Sequence, residues 1–127
     1  MLSQAIERLL AVTDLPEPPP PDPFPLLAQW LEEARASGRY DDPSAVALAT
    51  ATPGAVPSVR MVLVKAIEPA PGSLTFFTNY ESRKAQELEA NPRAAMVFHW
   101  PHAKRQARVE GLVERTSVEG DRRAFRV

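Results

Sequence analysis

The chain has 127 residues, 44% hydrophobic and 24% charged, the composition of a single soluble globular domain able to bury its own core. It contains no cysteine, which excludes disulfide frameworks, thiolate metal sites and cysteine nucleophiles. The formal net charge of −1 is uneven: residues 1–42 hold three basic and eight acidic side chains, and residues 104–127 hold seven basic and four acidic. That imbalance is too weak for a general nucleic-acid binder, yet it suits a small anionic ligand held by a few placed cations. No window approaches the roughly 18 consecutive apolar residues of a membrane span. The opening residues lack the basic-then-apolar order of a secretory signal, so a cytoplasmic protein is expected.

In chain order, Leu2, Ile6, Leu9 and Leu10 form an apolar stripe at helical spacing, a short helix that needs something to dock on. Seven of the 14 prolines then fall between Pro16 and Pro25, predicting an extended polyproline segment. Residues 1–25 are therefore expected to be an extension, and residues 26–127 the folded domain. Asp22 predicts an N-cap with Pro23 opening a helix, Leu27, Trp30, Leu31 and Ala34 line its apolar face, and Gly38 stops it.

The texture then turns to strand. Ala45–Ala51 is a short apolar run, Thr52–Ala55 a turn, Val56–Lys65 a β-branched run, and Leu74–Thr78 another short strand. Ser82–Ala90 has helical character and is stopped by Asn91-Pro92, and Ala94–His99 reads as a strand. Arg105–Arg115 alternates clearly, with Ala107, Val109, Gly111 and Val113 on one side and Gln106, Arg108, Glu110 and Glu114 on the other. Ser117 is expected to cap a last helix. Five or six short strands in hairpin-like succession with inserted helices predict an α+β fold built on an antiparallel barrel.

No P-loop, GxGxxG or GxSxG motif is present. His99 and His102 are interrupted by Pro101 and have no carboxylate nearby in sequence, so a strand end followed by a turn is expected rather than a metal site. More informative is Ser82-Arg83-Lys84. Two cations in the first turn of a helix oppose its dipole, unless an anion sits at that end and satisfies both. The plainer alternative pairs Arg83 with Glu87, but a cation preceding its acid is the weaker orientation, so the anion site is favoured. Arg60 and Lys65 lie five residues and roughly 16 Å apart in a regular strand, on opposite faces, so they should serve different ends of one ligand or two ligands.

Taken together, Arg60-Met61-Val62-Leu63-Val64-Lys65, Phe77-Thr78-Asn79-Tyr80-Glu81-Ser82-Arg83-Lys84, Asn91-Pro92-Arg93-Ala94, Trp100-Pro101 and Arg105-Gln106-Ala107-Arg108-Val109-Glu110-Gly111 resemble the pyridoxine/pyridoxamine 5′-phosphate oxidase family. Asp22-Pro23-Phe24 fits as well, and the resemblance runs from about Asp22 to Glu119. It implies a split β-barrel that binds FMN at a homodimer interface and oxidises pyridoxine or pyridoxamine 5′-phosphate to pyridoxal 5′-phosphate with oxygen, in vitamin B6 metabolism. Hydride would pass to the flavin, so no acid–base dyad is needed. The resemblance places Arg60, Met61, Val62, Leu63, Val64 and Lys65 along FMN, with Arg60 on its phosphate. It puts Phe77, Thr78 and Gln106 against the cofactor, Arg83 and Lys84 on its phosphate, and Lys65 on the substrate phosphate.

The chain departs from the family in stopping at Val127, before a C-terminal half expected to add an Arg and a His over the substrate. Ala124 stands where the family usually has a substrate-phosphate tyrosine. FMN binding is thus better supported than turnover, and a non-catalytic flavin carrier or sensor is the alternative. A third possibility is an interaction module read through its Pro-rich segment.

Overall fold

The computed structural model describes residues 15–70, 72–79, 82–119 and 122–126, so the expected helix before Asp14 lies outside the described residues. Helix α1 spans Phe24–Ser37. Its start differs slightly from expectation: Pro23 occupies the cap position, and Asp22 Oδ1 accepts the Phe24 N–H at 3.0 Å. Its buried face is the expected one, Leu27, Trp30, Leu31 and Ala34, and Gly38 closes it in the left-handed conformation with φ 66°.

Seven strands follow in one antiparallel sheet: β1 (Ala45–Ala51), β2 (Pro57–Glu68), β3 (Ser73–Asn79), β4 (Arg93–Trp100), β5 (Arg105–Leu112), β6 (Glu114–Glu119) and β7 (Arg122–Arg126). Their spatial order is β5-β4-β1-β2-β3-β7-β6. Helix α2 (Arg83–Ala90) crosses from β3 to β4 and packs on β1. The result is an α+β split barrel, the expected fold class. Among the described residues no helix is long and apolar enough to cross a membrane.

One expectation fails. The described residues after Ser117 form strand rather than helix; β6 pairs with β7, and β7 pairs with β3 from Thr75↔Arg126 to Asn79↔Arg122. Two forces explain the outcome. The far edge of β3 offers unpaired backbone groups that β7 satisfies. A helix through this segment would also carry Gly120 in its interior, at about 1 kcal/mol relative to alanine.

Strand alternation sorts the sheet into two faces. Val46, Leu48, Val62, Val64, Leu74, Phe76, Met96, Phe98 and Trp100 point inward and form the core with α1. At the turn before β3, Gly72 has φ 93°, and a Cβ there would meet the Phe24 ring at 3.1 Å, so a glycine lets α1 seat against the sheet. Arg105 is buried beneath α1, where it donates to Glu33 Oε2 at 2.6 Å and lies over the Trp30 ring. Its guanidinium and a bond from Gln29 hold the Glu33 carboxyl below its ordinary value, with the Gln29 bond the larger cause.

Candidate functional site

The cations singled out in the sequence meet where α2 crosses the ends of β1 and β2. Ser82 caps α2 as expected, its Oγ accepting the Ala85 N–H at 3.2 Å, which places Arg83 and Lys84 in the first turn. In the facing strands, Leu48 lies opposite Arg60 and Thr50 opposite Ser58, all four on the inner face of the sheet.

Between helix and strands sits one buried carboxylate, Glu87. Its Oε2 accepts the Thr50 hydroxyl and, at 2.8 Å, the Ser58 hydroxyl, while Oε1 accepts Arg83 Nε at 2.9 Å. Those bonds hold its pKa at about 2, the Thr50 hydroxyl contributing most, then Ser58, and Arg83 after that. The plainer alternative of an Arg83–Glu87 pair is therefore realised. It does not exhaust the cations, however.

Arg60 donates from Nη1 to the Leu48 carbonyl at 3.2 Å and to Thr50 Oγ1 at 2.8 Å, and from Nη2 to Ser58 Oγ at 2.6 Å. Its Nη2 stands 3.8 Å from Glu87. Burial lowers the Arg60 pKa, and neighbouring Arg83 lowers it further, while Glu87 acts in the opposite sense. Burial, then Arg60, lowers that of Lys84. Arg60 and Arg83 thus share a single carboxylate while Lys84 stands close enough to feel Arg60, and the repulsion among the three cations favours an anion at this end of α2.

The opposite face of β2 carries different chemistry. Val59, Met61 and Leu63 are 67%, 65% and 52% exposed, an apolar row on a central strand. Next along it is Lys65, whose Nζ lies over the Phe77 ring of β3. The rows beside Met61 and Val59 continue over Ala47 and Ala49 of β1 to Val97 and Ala95 of β4, and end at Arg108 and Glu110 of β5. They floor a shallow groove of about 630 Å³.

A family model described as pyridoxamine 5′-phosphate oxidase matches residues 31–126. The chain is 53% identical over 116 residues to the pyridoxine/pyridoxamine 5′-phosphate oxidase of Erythrobacter litoralis, covering 91% of this chain and 52% of that protein. The chain belongs to the pyridoxamine 5′-phosphate oxidase family. Solved structures agree. PhzG from Burkholderia lata 383, in complex with tetrahydrophenazine-1-carboxylic acid, superposes with TM-score 0.71 and 31% identity over 78% of this chain and 48% of that one. A pyridoxamine 5′-phosphate oxidase-related, FMN binding protein from Nostoc punctiforme gives TM-score 0.63 and 26% identity over 74% and 48%. The chain spans about half the length of the curated relatives it matches, 52% and 47% for two of them.

Within this family member, the residues expected to contact a cofactor fall into two groups. Arg60, Arg83 and Lys84 come together at the α2 end. Met61, Leu63, Lys65 and Phe77 share the outer face of β2 and β3. Val62 and Val64 have their side chains in the core, which leaves their main chain as the part able to contact a ligand. Thr78 is buried, with its hydroxyl 3.3 Å from Ser82 Oγ. Gln106 is exposed on β5, and two strands, β4 and β1, separate it from β2.

His99 and His102 are both exposed, the latter beside Tyr40 with ring centroids 5.4 Å apart. Among the described residues no three His, Asp or Glu side chains gather as metal ligands would. Sequence reading missed Thr50, Ser58 and Glu87 as members of the site. The one available signal was the spacing of Glu87, one helical turn after Arg83.

Proposed function

We propose that this protein binds FMN and acts as a pyridoxamine 5′-phosphate oxidase in vitamin B6 metabolism. The observation that carries the reading is the gathering of Arg60, Arg83 and Lys84 at a capped helix N-terminus, where one carboxylate, Glu87, pairs with Arg60 and Arg83 and a cationic surplus remains. Such a site fits a phosphate monoester, because main-chain N–H groups and cations act on the same oxygens. Arg60, Arg83 and Lys84 would hold the FMN phosphate, and residues 60–65, Phe77, Thr78 and Gln106 would line the rest of the cofactor. When bound, the flavin supplies hydride acceptance and reaction with oxygen. Lys65, on the other face of β2, would take the phosphate of pyridoxine or pyridoxamine 5′-phosphate.

In this reading the working form is a homodimer with FMN at the interface. Two features support it: Gln106 lies well away from the Arg60 cluster within one chain, and the apolar row of β2 is left exposed by the described residues. Residues 26–127 make up the flavin-binding unit, residues 1–25 are its extension, and the location is cytoplasmic. The test is colour and turnover. Purified protein should take up FMN with flavin absorbance and convert pyridoxamine 5′-phosphate to pyridoxal 5′-phosphate. Flavin uptake without turnover would favour a carrier or sensor, and no uptake would overturn the reading.

A further inference from the structure

We propose that Glu87, through the hydroxyls of Thr50 and Ser58, is a positioning residue that presets the Arg60 guanidinium for the ligand phosphate. The inference rests on reading the Arg60 cluster as a phosphate site. A hydroxyl has one proton to give. Thr50 and Ser58 both give theirs to Glu87 Oε2, so the lone pairs that remain are what Arg60 meets, at 2.8 Å and 2.6 Å. Reversing either hydroxyl would set a proton against a cation.

The Leu48 carbonyl completes the frame at 3.2 Å. Three guanidinium protons are thereby fixed on protein acceptors. The Nε–H and one Nη2 proton remain, with no hydrogen bond to a described residue, and this edge matches two oxygens of a phosphate. Arg60 is held in place before any ligand arrives, which lowers the entropy lost on binding. Glu87 does not itself touch the ligand in this arrangement. It fixes the hydroxyls that fix the arginine.

Charge and positioning make opposite forecasts, which makes the idea testable. Glu87→Ala leaves Arg60 and Arg83 without their carboxylate, so charge alone demands tighter anion binding. Positioning demands weaker binding. Because losing a buried carboxylate among cations can also cost the fold, the main variant is Thr50→Val with Ser58→Ala, which alters no charge and keeps the Arg83–Glu87 pair.

FMN and riboflavin affinities are measured by flavin fluorescence on the full chain. Riboflavin lacks the phosphate, so a merely structural defect would weaken both ligands alike. We expect the double variant to lose about tenfold or more in FMN affinity, the effect of one charge-assisted bond, with riboflavin within twofold of the parent. If the parent prefers FMN and the double variant keeps that preference, or if Glu87→Ala tightens FMN, the positioning role is overturned and the phosphate site stands. If the parent binds FMN and riboflavin equally, the phosphate site falls and the proposal with it.

Discussion

The Lys65 ammonium lies 4.3 Å from the centroid of the Phe77 ring, on the face of β2 opposite Arg60. Stacking over an aromatic face narrows the position of the ammonium, and it does so on the outer surface of the sheet. Arg60 faces α2 instead. The two cations cannot share one phosphate, because strand alternation turns them apart.

That division yields the first prediction. Lys65→Ala should weaken equilibrium binding of pyridoxamine 5′-phosphate to FMN-loaded protein by about tenfold or more, as expected for losing a charged partner of a phosphate. FMN affinity should fall by less than that, since Lys65 is one of several residues along the cofactor. A parallel fall in both affinities would show that Lys65 serves the cofactor phosphate.

A second prediction concerns the first turn of α2. Arg83→Ala with Lys84→Ala should weaken FMN by more than tenfold, because charge-assisted hydrogen bonds contribute about 1.5–3 kcal/mol each. Arg83 also bonds Glu87, so its removal leaves that carboxylate to Thr50, Ser58 and Arg60. Riboflavin affinity, measured alongside, distinguishes loss of phosphate binding from loss of structure. Unchanged FMN affinity would place the phosphate elsewhere.

The elements were largely legible in the sequence, and the reason is local. The face of α1, the Ser82 cap and the opposed directions of Arg60 and Lys65 each follow from spacing within a few residues. The Glu87 network was not legible, since Thr50 and Ser58 lie 37 and 29 residues away and meet the carboxylate only after β1, β2 and α2 pack. Arg105 was likewise read simply as the start of a strand, whereas burial under α1 pairs it with Glu33, 72 residues earlier. The C-terminal hairpin is a different case. Gly120-Asp121 is a two-residue hairpin signal, and the expectation of a helix capped by Ser117 does not take it into account.

The third prediction is an acid limb of stability. Glu87 has a pKa of about 2 in the folded protein against an ordinary value of 4.5. A depressed carboxylate contributes stability that is fully present above the unfolded value and is lost as pH falls through the folded one. The Glu87 contribution should therefore fade between about pH 4.5 and pH 2. Urea midpoints measured across that window should fall in the parent and fall less steeply in Glu87→Gln, which has no proton to take up. Identical slopes would mean that other carboxylates carry the acid limb.

The last prediction is the dimer. Val59, Met61 and Leu63 project from a strand in the middle of the sheet, where no helix among the described residues covers them, and they stay 67%, 65% and 52% exposed. The alanines beside them, Ala47 and Ala49, keep the surface low, so another sheet face can approach closely. A homodimer formed through this face would bury the row against its two-fold copy and bring a second Gln106 toward the site, which one chain alone leaves at a distance. Met61→Glu with Leu63→Glu sets two charges on that face, and burying them without partners is costly. The core residues Val62 and Val64 are untouched, so the variant should fold with parental circular dichroism. Light scattering should show a dimer for the parent at micromolar concentration and a monomer for the variant, with FMN affinity reduced in the monomer. A variant that stays dimeric would move the interface off this face, and a parent that is monomeric with flavin bound would remove the dimer from the proposed function altogether.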